Sequence, residues 1–198
     1  MSTRIVVAIT GASGAAYAVR LIERLTEAGV DVHLTVSSLG RRLLADELAT
    51  KRLDPDALAG GRGERLTVYN DQDVGAAIAS GSFLHDGMIV VPCSSNTLGS
   101  IANGLSTNLV QRAAAVTLKE RRRLILACRE SPTSHIDLLN MMRLSEAGAI
   151  IAPLSPGFYL HPQSIDDLLD FMAGRLMDLV GVRHDLAIRW TGGTTRDG

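Results

Sequence analysis

The segment that most constrains the fold of this chain runs from Arg4 to Gly14, with the sequence RIVVAITGASG. Its first half is a continuous apolar run, which is typical of a strand buried on both faces of a parallel sheet. Gly11 and Gly14 allow a sharp turn, and small and apolar residues then predict a helix over Ala15–Ala28. The unpaired N–H groups of a helix start favour an anion, and Ser13 adds a hydroxyl. A tight turn that binds nothing is the alternative interpretation.

The turn does not follow the pattern of dinucleotide-binding proteins. The G-x-G-x-x-G spacing is absent, and the second predicted strand ends at Ser37-Ser38, where a ribose-binding Asp or Glu would be expected. The Tyr-x-x-x-Lys pattern of short-chain dehydrogenases is also missing, because the late tyrosine begins the stretch Tyr159-Leu-His-Pro-Gln163. If a nucleotide binds at this turn, a mononucleotide fits better.

Strand-like and helix-like segments alternate about six times along the chain. Further strands are predicted over Val30–Ser37, the LTVY segment, Gly87–Cys93, Leu124–Cys128 and Ala149–Ala152. The helices predicted between them include one over Asp71–Ala79 and one that opens at Pro132. This alternation predicts an α/β fold with three α/β/α layers and a mainly parallel, Rossmann-like sheet of about six strands. We expect a single domain over residues 1–190 and a disordered polar tail at 191–198.

Composition excludes several classes of function. The net charge of −1 provides no field that would hold nucleic acid or an anionic membrane. No apolar run reaches the ~18 residues of a membrane span, and the first residues lack the apolar core of a signal peptide, so a cytoplasmic protein is expected. Cys93 and Cys128 have no metal-binding spacing and the five histidines are scattered, so no metal site is expected.

Polar side chains follow three of the predicted strands at the point where each strand ends. The first strand leads into Gly11-Ala-Ser13, and the strand GMIVVPC leads into Ser94-Ser95-Asn96-Thr97. Arg129-Glu130 follows the strand at Leu124–Cys128. Because ligands of open α/β sheets bind beyond the carboxyl ends of the strands, these exits predict a binding site. The alternative for Ser94 or Thr97 is a simple helix N-cap.

Cations in the second half of the chain could serve a second anion. Arg112 and Lys119 lie seven residues apart in a helix predicted over Asn108–Glu120, and Arg175 lies in the last helix. These cations could converge with Tyr159, which lies in a stiff, proline-rich loop. The inventory suffices for two phosphates, one on a cofactor and one on a substrate. Since no Asp-rich Mg²⁺ site is present, Lys and Arg alone would stabilise a departing phosphate.

Seven segments, in this order, resemble the UbiX-type flavin prenyltransferases: TGASGAAYAVRLI, PCSSNTL, RAAAVTLKERRRLIL, the RE pair, GAIIAP, PGFYLHPQSIDDL and the late RW pair. The resemblance extends from about Arg4 to Trp190. It implies a flavodoxin-like flavoprotein domain that binds FMN at the strand exits. It also implies transfer of a dimethylallyl group, without a metal, from dimethylallyl monophosphate to N5 and C6 of reduced FMN. The product, prenylated FMN, would serve a UbiD-type decarboxylase, and family members form homododecamers with active sites where subunits meet.

The resemblance also assigns roles to individual residues. The flavin-binding positions are Gly11, Ala12, Ser13, Ser37, Ser94, Ser95, Asn96, Thr97 and Arg129. The positions that bind the phosphate of the prenyl substrate are Arg112, Lys119, Glu130, Tyr159 and Arg175, and Trp190 matches an aromatic residue near the prenyl pocket. The catalytic positions are Ser13 and Glu47, which manage protons during ring closure, Glu130, which protonates the departing phosphate, and Lys119.

One departure and two alternatives accompany this assignment. Ser95-Asn96 stands where many family members have Met-Lys, so a cation is absent there and the role of Asn96 is open. A flavin-dependent cysteine decarboxylase of the related fold is one alternative, although CSSNT only loosely resembles the PASANT motif of that group and its early catalytic histidine is missing. The other is an FMN-binding accessory subunit of a decarboxylase, or a decarboxylase itself.

Overall fold

A computed structural model describes residues 2–188 of the chain, so Trp190 and the tail predicted at 191–198 lie outside the described residues. Its centre is one sheet of six parallel strands in the order β3-β2-β1-β4-β5-β6. The strands are β1 Arg4–Ile9, β2 Asp31–Val36, β3 Leu66–Tyr69, β4 Gly87–Cys93, β5 Arg123–Cys128 and β6 Ile150–Ile151. The prediction of a parallel, doubly wound α/β sheet is confirmed, and the order reverses between β1 and β4.

Helices cover both faces of the sheet. They are α1 Ala15–Glu27, α2 Ser38–Leu48, α3 Pro55–Leu58, α4 Ser95–Ala102, α5 Leu109–Lys119, α6 His135–Glu146 and α7 Ile165–Val180. The apolar residues of α1, α2, α3 and α7 pack on one face, and those of α4, α5 and α6 pack on the other. Among residues 2–188, no helix combines the length and the apolar character that crossing a membrane requires.

The central strands are apolar throughout because each of their faces supports a different core. In β1, Ile5 and Val7 pack beneath α1 and α7, whereas Val6 and Ala8 pack beneath α5. All four side chains are fully buried. A strand with two buried faces has no place for alternating polar residues, which explains the continuous run in the sequence.

Two predicted helices differ in the structure. Most of the segment over Asp71–Ala79 is turn, with a short 3₁₀ helix only at Ala77–Ala79. The side chains of Asn70 and Asp73 accept hydrogen bonds from nearby backbone N–H groups, which competes with helix formation. The helix expected to open at Pro132 begins at His135, after a capping box between Ser134 and Asp137.

Candidate functional site

The candidate site lies at the carboxyl edge of the sheet, where the strand order reverses between β1 and β4. Thr10, which follows β1, joins these two strand exits. Its Oγ1 accepts a hydrogen bond from the Ser94 N–H at 2.9 Å and donates one to the Pro92 carbonyl at 2.7 Å. Thr10 is almost fully buried, so these bonds hold the β1 and β4 exits in a fixed relation. Thr10 could not be singled out from the sequence, because a lone threonine in a turn carries no distinctive signal.

The glycine turn after β1 lies directly against the start of α2. Gly14 has a φ of 116°, a left-handed conformation that favours glycine. A Cβ atom on Gly11 would lie 2.5 Å from the Leu39 Cβ, so only glycine allows this approach. Leu39 itself is 59% exposed. The exposed Leu39 side chain therefore lies against a half-buried glycine turn at this edge, a combination that suits a flat, partly apolar ligand such as a flavin ring.

The anion at the start of α1 is the carboxylate of Glu47. Its Oε2 accepts hydrogen bonds from the N–H groups of Gly14, at 3.0 Å, and Ala15, at 2.8 Å. Burial raises the pKa of Glu47, but these two bonds, the Ser13 hydroxyl and the Arg129 charge outweigh burial and lower the pKa. Two of the N–H groups that the sequence offered to a ligand phosphate are therefore used within the chain.

Ser37 and Ser94 are N-caps of the helices that follow them. The Ser37 Oγ accepts from the Gly40 N–H at 3.1 Å, and the Ser94 Oγ accepts from the Thr97 N–H at 3.3 Å. Ser94 is thus an N-cap, and its contact with a flavin stays a prediction. The starts of α1, α2 and α4 all lie at the same edge, so their positive ends act together on a ligand there. Gly40 permits the close approach, since a Cβ atom on it would lie 2.6 Å from the Ile9 carbonyl oxygen.

The exit of β5 brings a guanidinium and a carboxylate to this edge. The Nε of Arg129 donates to the Ser13 carbonyl at 3.0 Å, which ties β5 to the glycine turn. The Oε2 of Glu130 accepts from the Ser95 hydroxyl at 3.1 Å, which ties β5 to the start of α4. The structure thus brings the predicted residues of three strand exits together, with Glu47 beside them.

The predicted convergence of the cations does not occur within one chain. Lys119 ends α5 at the opposite, amino-terminal edge of the sheet, where its ammonium group lies beside Gly81 and pairs with Glu120. Arg112 is exposed on the same helix. Because α5 packs on one face of the sheet and α7 on the other, Arg112 and Lys119 cannot share an anion with Arg175 of the same chain. Periodicity within a helix does not reveal which face of the sheet that helix will cover.

Tyr159 and Arg175 lie instead along the β6 edge of the sheet. They line a groove of about 430 Å³ between β6, α7 and the loop that joins them. Tyr159 packs edge-to-face on Phe171, with the ring centroids 5.7 Å apart, and remains 46% exposed. The Arg175 Nη1 lies 3.4 Å from Asp178 Oδ2. The groove therefore presents a cation and a phenol beside an apolar wall. Trp190, which the family resemblance places near the prenyl pocket, lies outside the described residues.

Acidic, histidine and cysteine side chains form no metal-binding group within residues 2–188. Cys93 and Cys128 are buried partners on the neighbouring strands β4 and β5. The contact between these thiols and their burial raise the pKa of Cys93, so this thiol stays protonated and is a poor nucleophile. Hydroxyls, Arg129 and the carboxylates of Glu47 and Glu130 are the polar side chains joined by hydrogen bonds at this edge.

In the comparisons with known proteins, this chain matches flavin-binding proteins. A family model described as Flavoprotein matches residues 1–177. The chain is 50% identical over 187 residues to the flavin prenyltransferase UbiX of Thermoplasma acidophilum, covering 94% of this chain and 99% of that protein. The crystal structure of AnUbiX (PadA1) in complex with FMN and dimethylallyl pyrophosphate matches with a TM-score of 0.87 and 40% identity, over 98% of this chain and 100% of that one. A dodecameric FMN-dependent UbiX-like decarboxylase from Escherichia coli O157:H7 matches with a TM-score of 0.86 and 41% identity, over 96% and 100%.

Proposed function

Because this chain belongs to the UbiX family of flavin prenyltransferases, we propose that it joins a dimethylallyl group from dimethylallyl monophosphate to reduced FMN and releases prenylated FMN. It is an enzyme, and FMN is its cofactor. The observation that carries the proposal is the joined edge of β1, β4 and β5, where Thr10, Ser95 and Arg129 connect the three strand exits. This edge has the helix starts, hydroxyls and guanidinium that a flavin mononucleotide requires.

The flavin set is the group of residues at this edge. The backbone of Gly11 and Ala12 and the exposed Leu39 would lie against the flavin ring, and Arg129 would neutralise the charge of the reduced ring or of its phosphate. The remaining residues of the set are Ser13, Ser37, Ser94, Asn96 and Thr97, whereas Ser95 at the same edge bonds to Glu130. When bound and reduced, FMN supplies the nucleophilic N5 and C6 atoms. The flavin ring and Leu39 would shield the allylic carbon from water, which would otherwise hydrolyse it.

The carbon–oxygen bond of the substrate breaks more easily when the departing phosphate is stabilised. Glu130 is exposed at the edge and close to the flavin set, so it is placed to donate a proton to the phosphate oxygen that leaves. Arg112, Lys119, Arg175 and Tyr159 would bind the phosphate, with Lys119 acting directly on the developing charge. Glu47, close to Ser13 at the start of α1, would take part in the later loss of the C6 proton.

A complete phosphate site needs more than one copy of the chain. Arg112 and Lys119 lie on one face of the sheet, whereas Tyr159 and Arg175 lie at the β6 edge beside the other face. We infer that α5 of one copy faces the β6 groove and the Glu130 edge of another, in a homo-oligomer. The dodecameric state of the solved E. coli relative supports such an assembly. The released prenylated FMN would serve a UbiD-type decarboxylase.

The experiment that tests this function is a mass measurement on the flavin. The protein is incubated without oxygen with FMN, dithionite and dimethylallyl monophosphate, and the flavin is then extracted. We expect a flavin heavier by one dimethylallyl group, formed in the presence of a metal chelator and slowed strongly by Glu130→Gln. Unaltered FMN would contradict transfer and favour a flavin-carrier subunit. Release of CO₂ from a cysteine-containing peptide would instead favour the cysteine decarboxylase.

A further inference from the structure

We propose that Ser95 is a positioning residue whose hydroxyl holds the Glu130 carboxyl in the orientation that delivers its proton. This inference rests on the proposed function, because it concerns the group that acts as the acid in that reaction. It gives Ser95 a different role from the flavin contact that family resemblance assigns, and the two roles predict different results.

Glu130 depends on few contacts for its orientation. It lies just beyond the end of β5 and is exposed, so its side chain would otherwise sample several rotamers. Its Oε1 accepts from the N–H of the next residue, Ser131, at 3.1 Å. Its Oε2 accepts from Ser95 at 3.1 Å. Of these two bonds, the Ser95 bond is the one that ties this carboxyl to another element of the fold.

Ser95 is itself held between two helix starts. It follows the N-cap Ser94 in the first turn of α4 and is half-buried. A second carboxylate close to Ser95 is Asp137, in the capping box at the start of α6. Hydrogen bonding from the Ser134 side chain first, and from the Ser95 side chain in addition, lowers the pKa of Asp137, so its carboxylate accepts hydrogen bonds from these hydroxyls.

A hydroxyl suits this position in both protonation states of Glu130. When Glu130 is a carboxylate, Ser95 donates its proton to Oε2. When Glu130 carries its proton on Oε1, Ser95 continues to donate to Oε2, so the proton stays available for the phosphate. The Glu130 carboxyl therefore keeps one orientation before and after proton delivery. An alanine at this position loses the tether, whereas a threonine keeps it.

The test is a double-mutant cycle on single-turnover prenylation, with FMN affinity measured separately by flavin fluorescence. Ser95→Ala should slow prenylation about tenfold and leave FMN affinity within about twofold, and Ser95→Thr should recover most of the rate. In a Glu130→Gln background, Ser95→Ala should have no further effect. Ser100→Ala, on the same helix, is the matched control and should equal the wild type.

Three results would overturn the inference. An equal loss from Ser95→Ala in the wild-type and Glu130→Gln backgrounds would show that Ser95 does not act through Glu130. A loss of FMN affinity as large as the loss of rate would make Ser95 a flavin ligand. If the wild-type protein leaves FMN unchanged, the proposed function itself fails, and the role of Ser95 fails with it.

Discussion

The separation of the cations proposed to bind phosphate predicts that two different weakened variants restore each other's activity. Lys119→Ala removes a cation on α5, and Arg175→Ala removes one from the β6 groove. Each variant loses one charged contact to the phosphate, worth about 1.5–3 kcal/mol, so its rate at low substrate should fall about tenfold to a hundredfold. Binding of FMN at the strand exits should be unaffected by either change.

A hybrid oligomer of the two variants should regain about one quarter of the wild-type rate. If each site takes Lys119 from one copy and Arg175 from another, both donors are intact in about one site in four of an evenly mixed oligomer. The two variants are co-expressed with different affinity tags, purified through both tags, and assayed at low substrate. The matched control combines Lys119→Ala with Arg112→Ala. Both residues lie on α5, so every site in that hybrid lacks one of them and no recovery is expected.

The result that would refute this reasoning is a hybrid no more active than its parents. Such a result would mean that Lys119 and Arg175 of one chain serve the same phosphate. That in turn would require α5 to leave its face of the sheet, where Val110, Ala113 and Ala114 are buried against β1 and β4.

Three further predictions concern the scaffold of the site and are measured by urea unfolding at a fixed protein concentration. Glu47→Gln should lower the free energy of unfolding by about 0.5–1 kcal/mol at pH 7, because the start of α1 loses its charged cap at an exposed position. Because the pKa of Glu47 is lower in the folded state, its stabilisation is present above the pKa of the unfolded state. The difference in free energy of unfolding between Glu47→Gln and the wild type should therefore shrink to zero as pH falls through the folded-state pKa. Thr10→Val should cost about 1–3 kcal/mol and weaken FMN retention, whereas Thr10→Ser should not. Asp170→Asn, which weakens the pairing with Arg20 and Arg24 of α1, should cost about 1–2 kcal/mol, less in high salt. A difference in free energy of unfolding between Glu47→Gln and the wild type that does not change with pH would contradict the assigned Glu47 contacts. Equal losses of stability for Thr10→Val and Thr10→Ser would contradict the assigned Thr10 contacts.

The sheet and the position of the site could be predicted because the signals are local. A continuous apolar run identifies a strand with two buried faces, and polar residues directly after it mark the carboxyl edge. For this reason Ser13, Ser94, Arg129 and Glu130 could be placed together before the structure was known. The capping box at Ser164 was equally visible, because its partner Asp167 follows three residues later.

The separation of the cations could not be predicted because it depends on long-range packing. The spacing of Arg112 and Lys119 shows that they share a side of one helix, which the structure confirms as exposed. It does not reveal that this helix packs on the opposite face of the sheet from α7. The assignment of Glu47 to the start of α1 is equally non-local, since 33 residues separate it from Gly14. Asp137 was missed although Ser134-x-x-Asp137 is a recognisable cap pattern.

A crystal structure of the protein with FMN and a non-hydrolysable dimethylallyl phosphonate tests the central claim most directly. The account predicts the flavin at the carboxyl edge, in contact with Ser94 and Arg129. It predicts the phosphonate between Lys119 of one copy and Arg175 of another, with Glu130 beside it. A flavin on any other surface, or a phosphonate bound by a single chain, would contradict the account.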